Sequence, residues 1–147
     1  MAVQDDWRWC NKCQGLVFGG NPLRSCPEGG KHNLGGSGNY VLIRDTTSIP
    51  PPAQDDWRRC KKCQGLVFGG NPLRSCPEGG KHNLGGSKKY TLMHNDPAAF
   101  GQRPWRWCNK CQGLVFGGNP PPRKCPEGGQ HDLGGSGEYI LMHYRDS

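Results

Sequence analysis

Residues Trp7–His32 read WRWCNKCQGLVFGGNPLRSCPEGGKH, and this stretch decides the fold because the chain contains it three times. It returns almost unchanged at Trp57–His82 and with small edits at Trp105–His131. A repeated unit sets the architecture of a whole chain, so it is identified first. Each unit here has only about 50 residues, a length at which a hydrophobic core alone stabilises a fold marginally.

The composition indicates that burial of apolar side chains is not the main source of stability. Only 33% of the 147 residues are hydrophobic, whereas the chain has 24 glycines and 13 prolines. The glycines recur at the same places in each repeat, which is typical of turns that need special backbone geometry rather than of disordered chain. Another source of folding free energy is therefore expected.

The nine cysteines fall as three per repeat, an odd number that disulfides within a repeat would leave unpaired. A histidine at a constant offset completes a set of four. The spacing is C-x2-C-x12-C-x5-H in the first two repeats and C-x2-C-x13-C-x5-H in the third, where NPPPRK replaces NPLRS in the long loop. The predicted metal ligands are Cys10, Cys13, Cys26, His32, Cys60, Cys63, Cys76, His82, Cys108, Cys111, Cys125 and His131.

Three thiolates and one imidazole are typical of a structural zinc site, because soft sulfur ligands favour zinc over calcium or magnesium. We therefore predict three zinc ions per chain; an iron–sulfur cluster and metal-free thiols are the alternatives. Four good ligands leave no open position for catalysis. A catalytic site would require His32 to leave the metal and Glu28 to act as general base. The chain also lacks a Ser/His/Asp set, a phosphate loop, a dinucleotide fingerprint and a deaminase signature, so we expect no enzymatic activity.

The pattern around the ligands predicts a small, metal-stabilised all-β fold. WRWC and QGLVF are short strands joined by the first ligand turn, and Gly-rich CPEGGKH forms the second ligand turn. The run Tyr40–Ile43 closes the unit as a third strand. No segment shows a sustained helical period. The chain is thus predicted to contain three tandem zinc-ribbon-like β units.

The units and their spacers divide the whole chain. We assign zinc-ribbon repeats to residues 1–45, 55–94 and 105–147, a Pro-rich linker to 46–54 and a second linker to 95–104. Linkers that contain proline are semi-rigid. They permit either separate beads or units packed about a pseudo-threefold axis, with Tyr40 and Leu42 in a shared core. We expect beads with some contact between neighbours.

Comparison of the three copies separates buried from exposed positions. The tryptophan at 7, 57 and 105 is constant and is predicted to lie in the core. Its neighbour Trp9 corresponds to Trp107 but also to Arg59, and this position is expected to face solvent because a buried unpaired arginine is costly. Exposed indoles are unusual without a partner. The candidate ligand-binding residues are Arg8, Trp9, Gln14, Arg24, Arg58, Gln64, Arg74, Arg106, Trp107, Gln112 and Arg123.

The net charge of +7 is distributed unevenly along the chain. The first repeat is nearly neutral, and most of the excess lies in the second, which contains Arg59, Lys61, Lys88 and Lys89. This weak basic bias keeps nucleic acid as an alternative partner. No apolar run reaches the ~18–20 residues of a membrane span. The start MAVQDDW lacks the features of a secretory signal, so we expect a soluble chain, while the compartment and the oligomeric state stay open.

Two resemblances follow from these motifs. The segment Trp7–Cys26, with W-x2-C-x2-C and a following asparagine and cysteine, resembles zinc fingers of the Ran-binding-protein type, some of which read single-stranded RNA with arginine and a stacked aromatic ring. No RNA-reading residue is carried over to this chain from that resemblance. The fourth ligand departs from that family, because here it is a histidine. The whole unit, W-x-W-C-x-K-C-Q-G-L-x-F-G-G through C-P-x-G-G-x-H to G-S-x-x-Y, is similar to a tandem Cys3His repeat of uncharacterised bacterial proteins over nearly all of the chain. This second resemblance implies a repeated zinc-ribbon-like fold and no particular activity.

Together these features favour a non-enzymatic, multivalent binding module. Linked, near-identical units raise avidity even where each contact is weak. Polar loops rich in Gly, Asn and His beside an exposed tryptophan favour carbohydrate or another cell-surface polymer as the ligand. The first alternative is single-stranded nucleic acid, with Arg8, Lys12 and Arg24 on phosphates and Trp9 stacked on a base. The second alternative is a scaffold that docks another protein.

Overall fold

The computed structural model describes residues 2–45 and 53–143, and within these ranges the chain is all-β. The predicted fold class is therefore confirmed. The nine strands, three per repeat, are Ala2–Trp9 (β1), Leu16–Phe18 (β2), Tyr40–Arg44 (β3), Ala53–Arg59 (β4), Leu66–Phe68 (β5), Tyr90–His94 (β6), Gln102–Trp107 (β7), Leu114–Phe116 (β8) and Tyr139–His143 (β9). Over the same ranges there is no helix long and apolar enough to cross a membrane.

Each repeat folds as the same three-stranded unit. Its long first strand pairs antiparallel with the short second strand, as in Trp7 opposite Phe18, and with the third strand, as in Trp7 opposite Tyr40. The first strand of the first repeat carries a bulge between Gln4 and Trp7, where Asp6 adopts a φ of 69°. The alternating sequence pattern predicts all three strands of the unit correctly.

The first strand of every repeat begins earlier in the chain than the predicted start at the constant tryptophan, and β1 begins at Ala2. β4 and β7 start inside the predicted linkers 46–54 and 95–104, at Ala53 and Gln102 respectively. These residues extend the first strand of their repeat because they pair with its third strand. The remainder of the first linker, 46–52, lies outside the described residues.

Strand pairing joins the three repeats into one closed arrangement. β3 pairs with both β6 and β9, and β6 also pairs with β9, so each third strand contacts the other two. The second strands add a cycle of single bridges, Val17–Gly65, Val67–Gly113 and Val115–Gly15. Each of these links runs from one repeat to the next and the series closes on itself. The repeats are therefore related by pseudo-threefold symmetry.

A single hydrophobic core serves all three repeats. Trp7, Trp57 and Trp105 are fully buried, as predicted, and each packs edge-on against a tyrosine of another repeat. The ring centroids are 5.2–5.3 Å apart in the pairs Trp7–Tyr90, Trp57–Tyr139 and Trp105–Tyr40. The three repeats therefore share one core, which is the second of the two arrangements that the linkers permit, and they do not form the expected beads with limited contact between neighbours. The predicted boundaries mark repeats rather than separate cores.

Hydrogen bonds from the same tyrosines connect the repeats. The donor and acceptor pairs are Tyr40 with Gln102, Tyr90 with Gln4, and Tyr139 with Gln54. The three glutamines occupy the same place, before the bulge of each first strand. Two of them fall in segments predicted as linkers, so pairing with a distant repeat gives linker residues a structural role.

Candidate functional site

The structure brings each predicted set of four metal ligands together, and all of these side chains are buried. Within each set the ligand atoms lie within 4.8 Å of one another. Three Cys3His clusters, one per repeat, could therefore each hold a metal ion.

Two tight turns present the ligands of each cluster. The first turn follows β1 directly, and the carbonyl of Cys10 accepts a hydrogen bond from the N–H of Gln14 at 2.8 Å. The second turn holds the other two ligands, and the N–H of Cys26 donates to the carbonyl of Gly30 at 2.8 Å. Gly29 and Gly30 have φ values of 102° and 64°, which side-chain-bearing residues rarely adopt. Glycine at these positions is thus required for the second turn.

The distances within a cluster match a tetrahedral site. Cys10 Sγ and Cys26 Sγ are 3.9 Å apart, and Cys13 Sγ is 3.6 Å from Nδ1 of His32. Zinc at its usual distances of about 2.3 Å from sulfur and about 2.0 Å from nitrogen separates tetrahedral ligand atoms by about 3.6–3.8 Å. Nδ1 is therefore the histidine atom placed to bind the metal. Nε2 of the same ring is buried, without a hydrogen-bond partner among the described residues.

The thiol groups of a cluster share protons unequally. Hydrogen bonds from Cys13 and Cys26 hold the pKa of Cys10 well below its usual range. Hydrogen bonds to Cys10 and Cys26, together with burial, raise the pKa of Cys13. Burial lowers the pKa of His32, but hydrogen bonds and charges from Cys10 and Cys26 outweigh it and raise the pKa to about 9. A metal ion binds deprotonated ligands, so its binding displaces the protons that Cys13 and His32 hold.

Glu28 and its equivalents connect the metal loops of different repeats. Each carboxylate accepts a hydrogen bond from a backbone N–H of another repeat, in the pairs Glu28–Lys124 (2.7 Å), Glu78–Ser25 (2.5 Å) and Glu127–Ser75 (2.5 Å). The N–H of Ser25 holds the pKa of Glu78 below its usual value. The carboxylate that a catalytic site would need as a base therefore makes a contact between repeats.

The glutamines predicted to contact a ligand are buried instead. Gln14, Gln64 and Gln112 are only 3–4% exposed. Oε1 of Gln14 accepts hydrogen bonds from Nε1 of Trp9 at 2.9 Å and from Nδ2 of Asn119 at 3.0 Å. Because Asn119 belongs to another repeat, this amide holds two repeats together. Gln14 and Gln112 thus position tryptophans and Gln64 positions Arg59. Gln14 also lines a pocket of about 160 Å³ together with Arg123, another of the predicted ligand-binding residues.

The predicted arginines fall into two groups. Arg8 and Arg58 pair with the bulge aspartates of their own strands at 2.8 and 3.0 Å, whereas Arg106 lies 4.0 Å from Glu138 because proline replaces the aspartate. Arg24 and its equivalents Arg74 and Arg123 lie in the metal loops, where Arg24 and Arg74 are exposed and Arg123 is half-buried. Only the second group leaves its charge without a structural ion pair among the described residues.

The predicted tryptophans line two clefts at interfaces between repeats. The Trp9 cleft, of about 370 Å³, lies between the first and third repeats and is lined by Trp9, Gly36, Gly38, Tyr40, Gln102, Phe116, Asn119 and His143. The Trp107 cleft, of about 170 Å³, lies between the third and second repeats and is lined by Trp107, Gly135, Gly137, Tyr139, Gln54, Phe68 and Asn71. Both combine aromatic rings, side-chain amides and glycine backbone.

Sequence reasoning identified the tryptophans of these clefts but not the residues opposite them. The opposing phenylalanine, asparagine and glutamine come from a different repeat, so no local pattern connects them to Trp9 or Trp107. One signal was available: a glutamine precedes the constant tryptophan by three residues in every repeat, at Gln4, Gln54 and Gln102. A polar residue kept at one position in two dissimilar linkers indicates a structural contact.

No known protein family matches this chain, and neither a curated protein nor a solved structure is similar to it. No matching protein therefore supports the resemblances to tandem Cys3His repeats and to Ran-binding-protein-type fingers. The structure supports the coarser description, a tandem repeat with three clusters that could bind metal.

Proposed function

We propose that this protein is a non-enzymatic, multivalent carbohydrate-binding module that is stabilised by one zinc ion in each repeat. The observation that carries the proposal is the pair of aromatic clefts built around Trp9 and Trp107 at interfaces between repeats. The metal clusters hold the loops in place, and the clefts bind the ligand.

Zinc is the metal that this ligand set favours. Three cysteines and one histidine with tetrahedral spacing are typical of structural zinc, since calcium and magnesium prefer oxygen ligands. All four side chains of each set are buried, which fits a closed site whose binding free energy contributes to folding.

The chemistry of the clefts favours a sugar. A sugar ring presents C–H groups on its faces, which pack on aromatic rings, and hydroxyl groups on its edges, which bond to amides and carbonyl groups. Trp9 and Phe116 supply aromatic rings, and Gln102 and Asn119 supply amides, in one cleft. Volumes of about 370 and 170 Å³ lie near or below the lower end of the ~300–1,000 Å³ of small-molecule sites. We infer that each cleft takes one or two sugar units of a longer chain.

The rigid arrangement of the clefts suits a polymer. Because both belong to one packed body, their separation is fixed, and binding at one cleft raises the effective concentration of the same polymer at the other. A polysaccharide that presents the same unit repeatedly gains avidity from this arrangement, whereas a free monosaccharide does not.

The test is retention of the zinc-loaded protein on neutral polysaccharides and on a glycan array. Trp9→Arg and Trp107→Arg are the informative variants, because the second repeat already carries Arg59 at this position and hydrogen-bonds it to Gln64 at 3.0 Å. We expect each variant to weaken retention by about tenfold or more, since avidity is lost. Leu23→Ala, a change on an exposed loop, serves as control. Absence of retention on every glycan, or unchanged retention of the Trp9→Arg/Trp107→Arg double variant, would disprove the proposal.

Single-stranded nucleic acid is the second candidate, and the exposed Arg24 and Arg74 favour it. Phosphate contacts by these side chains would make affinity fall steeply as salt increases. Gel-shift assays with single-stranded oligonucleotides at two salt concentrations check this. Affinity that does not change with salt, or with Arg24→Ala/Arg74→Ala, would argue against it.

A further inference from the structure

The third interface, between the first and second repeats, has the same framework as the two tryptophan clefts. Tyr90 donates to Gln4, and Nδ2 of Asn21 donates to Oε1 of Gln64 at 2.8 Å, as the equivalent groups do at the other interfaces. We call this interface the Arg59 cleft. The residues equivalent to those that line the Trp9 cleft, in the same order, are Arg59, Gly86, Lys88, Tyr90, Gln4, Phe18, Asn21 and Arg44.

Three substitutions make the Arg59 cleft cationic. Arg59 stands where the other clefts have tryptophan, and Lys88 stands where they have Gly38 and Gly137. Arg44 lies opposite Tyr90 in the strand pairing, at the place that histidines occupy beside the other two tyrosines. Residues from both repeats thus contribute positive charge to this one cleft.

Arg59 is held in a defined position in this cleft. Its guanidinium lies 5.8 Å from the centroid of the Phe18 ring, and its Nη1 donates to Oε1 of Gln64 at 3.0 Å. The hydrogen bond from Arg59 to Gln64 takes the place of the hydrogen bond that Nε1 of Trp9 donates to Gln14 in the first repeat. A stacked guanidinium with one bonded nitrogen keeps its other N–H groups available for a planar anion.

The positive charge of the cleft is only partly neutralised. Arg44 pairs with Asp45 at 3.2 Å and Lys89 with Asp55 at 3.0 Å. In the described part of the chain, no acidic side chain lies within ion-pair distance of Arg59 or Lys88. Burial raises the pKa of Tyr90, and the charges of Arg59 and Arg44 oppose this shift, which is consistent with both cations lying near its hydroxyl.

On the basis of the proposed carbohydrate function, we propose that the Arg59 cleft binds an acidic sugar unit, whose anionic group contacts Arg59 and Lys88, while the two tryptophan clefts bind neutral units. The protein then recognises a polysaccharide that contains both kinds of unit. The anionic group is a uronate carboxylate or a sugar sulfate, which share the same hydrogen-bonding chemistry with a guanidinium.

The test uses the full zinc-loaded chain and NMR titration with three oligosaccharide probes of equal length: neutral, uronate-containing and sulfated. A single-stranded oligonucleotide is titrated separately for comparison. The two acidic probes distinguish carboxylate from sulfate. The key variant is Arg59→Trp/Lys88→Gly, which introduces the residues of the first repeat. The control is Lys61→Asn/Lys81→Gln, which removes the same charge outside the cleft and also uses residues found in other repeats.

We expect an acidic probe to shift resonances of Phe18 and Tyr90 in the wild type and in the control. Its affinity should fall at least tenfold in Arg59→Trp/Lys88→Gly, while the neutral probe gains a third site. Acidic binding that the key variant leaves unchanged would overturn the inference, as would tighter binding of a single-stranded oligonucleotide at the same residues. A wild type that binds neutral but no acidic probe would also overturn it and leave the proposed function standing. Absence of binding by all three probes would end both.

Discussion

At the scale of single residues, Gln14, Gln64 and Gln112 show how one side chain can serve several contacts. Their backbone φ values of 67–69° lie in the left-handed region, where glycine is the least strained residue. The side chain compensates for this cost. In Gln14 the amide bonds to an indole of its own repeat, to an asparagine of another repeat and to the carbonyl of Asn11.

Replacement of Gln14 separates the backbone contribution from that of the side chain. Gln14→Ala keeps the strained φ and leaves buried donors without an acceptor, so the free energy of unfolding should fall by about 2–3 kcal/mol. Gln14→Gly loses the same hydrogen bonds but relieves the strain, and should be about 1 kcal/mol more stable than Gln14→Ala. Urea denaturation of the zinc-loaded proteins measures both. Equal stability of the two variants would contradict the strain, and a loss below about 0.5 kcal/mol would contradict the hydrogen bonds.

At the scale of secondary structure, the third strands β3, β6 and β9 are the elements that join the repeats. At one buried position they carry Val41, Thr91 and Ile140, which are 9%, 5% and 2% exposed. Thr91 is the polar member of this set. Thr91 carries a hydroxyl group where valine and isoleucine carry apolar atoms, so this position in β6 makes less apolar contact than its equivalents.

Thr91→Val should therefore stabilise the protein. Exchange of the hydroxyl for a methyl group buries additional apolar surface, which is expected to raise the free energy of unfolding by about 0.5–1 kcal/mol. Thermal and urea denaturation measure this, with Thr91→Ser as the matched change in the opposite direction. A destabilised Thr91→Val variant would mean that the hydroxyl has a partner.

The same scale shows where strand prediction failed. Alternation predicts the first strands only from the constant tryptophans onward, because there the side chains point alternately to the core and to solvent. The starts of β4 and β7 have no such pattern, since they lie in segments rich in proline and small residues. They are strands because β6 and β9 supply hydrogen-bonding partners, which a local sequence window does not contain.

At the scale of the whole molecule, the three metal clusters lie around one open apolar depression of about 50 Å³ where the three repeats meet. The depression is lined by Cys13, Leu16, Val17, Pro27 and His32 together with their equivalents in the other repeats. Each cluster therefore borders the junction of the three repeats, and the loop that carries it is hydrogen-bonded to another repeat through Glu28 or its equivalent. Loss of metal in one repeat should propagate to the others.

Cys111→Ser tests this coupling, because the residue is a metal ligand of the third repeat. The zinc content should fall from three to two ions per chain, and the thermal transition should move down as a single step for the whole protein. Metal analysis and NMR spectra of all three repeats measure the two effects. Unchanged spectra of the first two repeats would instead indicate independent units.

Removal of the third repeat tests the shared core directly. A fragment that ends at residue 94 lacks Tyr139, which packs against Trp57, and Trp105, which packs against Tyr40. We expect this fragment to lack a folded monomeric state even with zinc, because two large aromatic side chains would be left uncovered. Circular dichroism and sedimentation check this. A monomeric fragment with native chemical shifts would disprove the shared core.

The sequence by itself determined the parts of this protein whose chemistry is local. The metal ligands lie within one segment of each repeat, so their spacing alone specifies the clusters, and the constant tryptophan and the alternating strands follow from single-repeat patterns. Only the tertiary structure decided which repeat completes which core and what lines the clefts. The Trp9 cleft depends on a hydrogen bond between Gln14 and Asn119, 105 positions apart. Residues so far apart in the chain come into contact only when the three repeats pack around one core. The spacing of residues within a single repeat carries no information about these contacts.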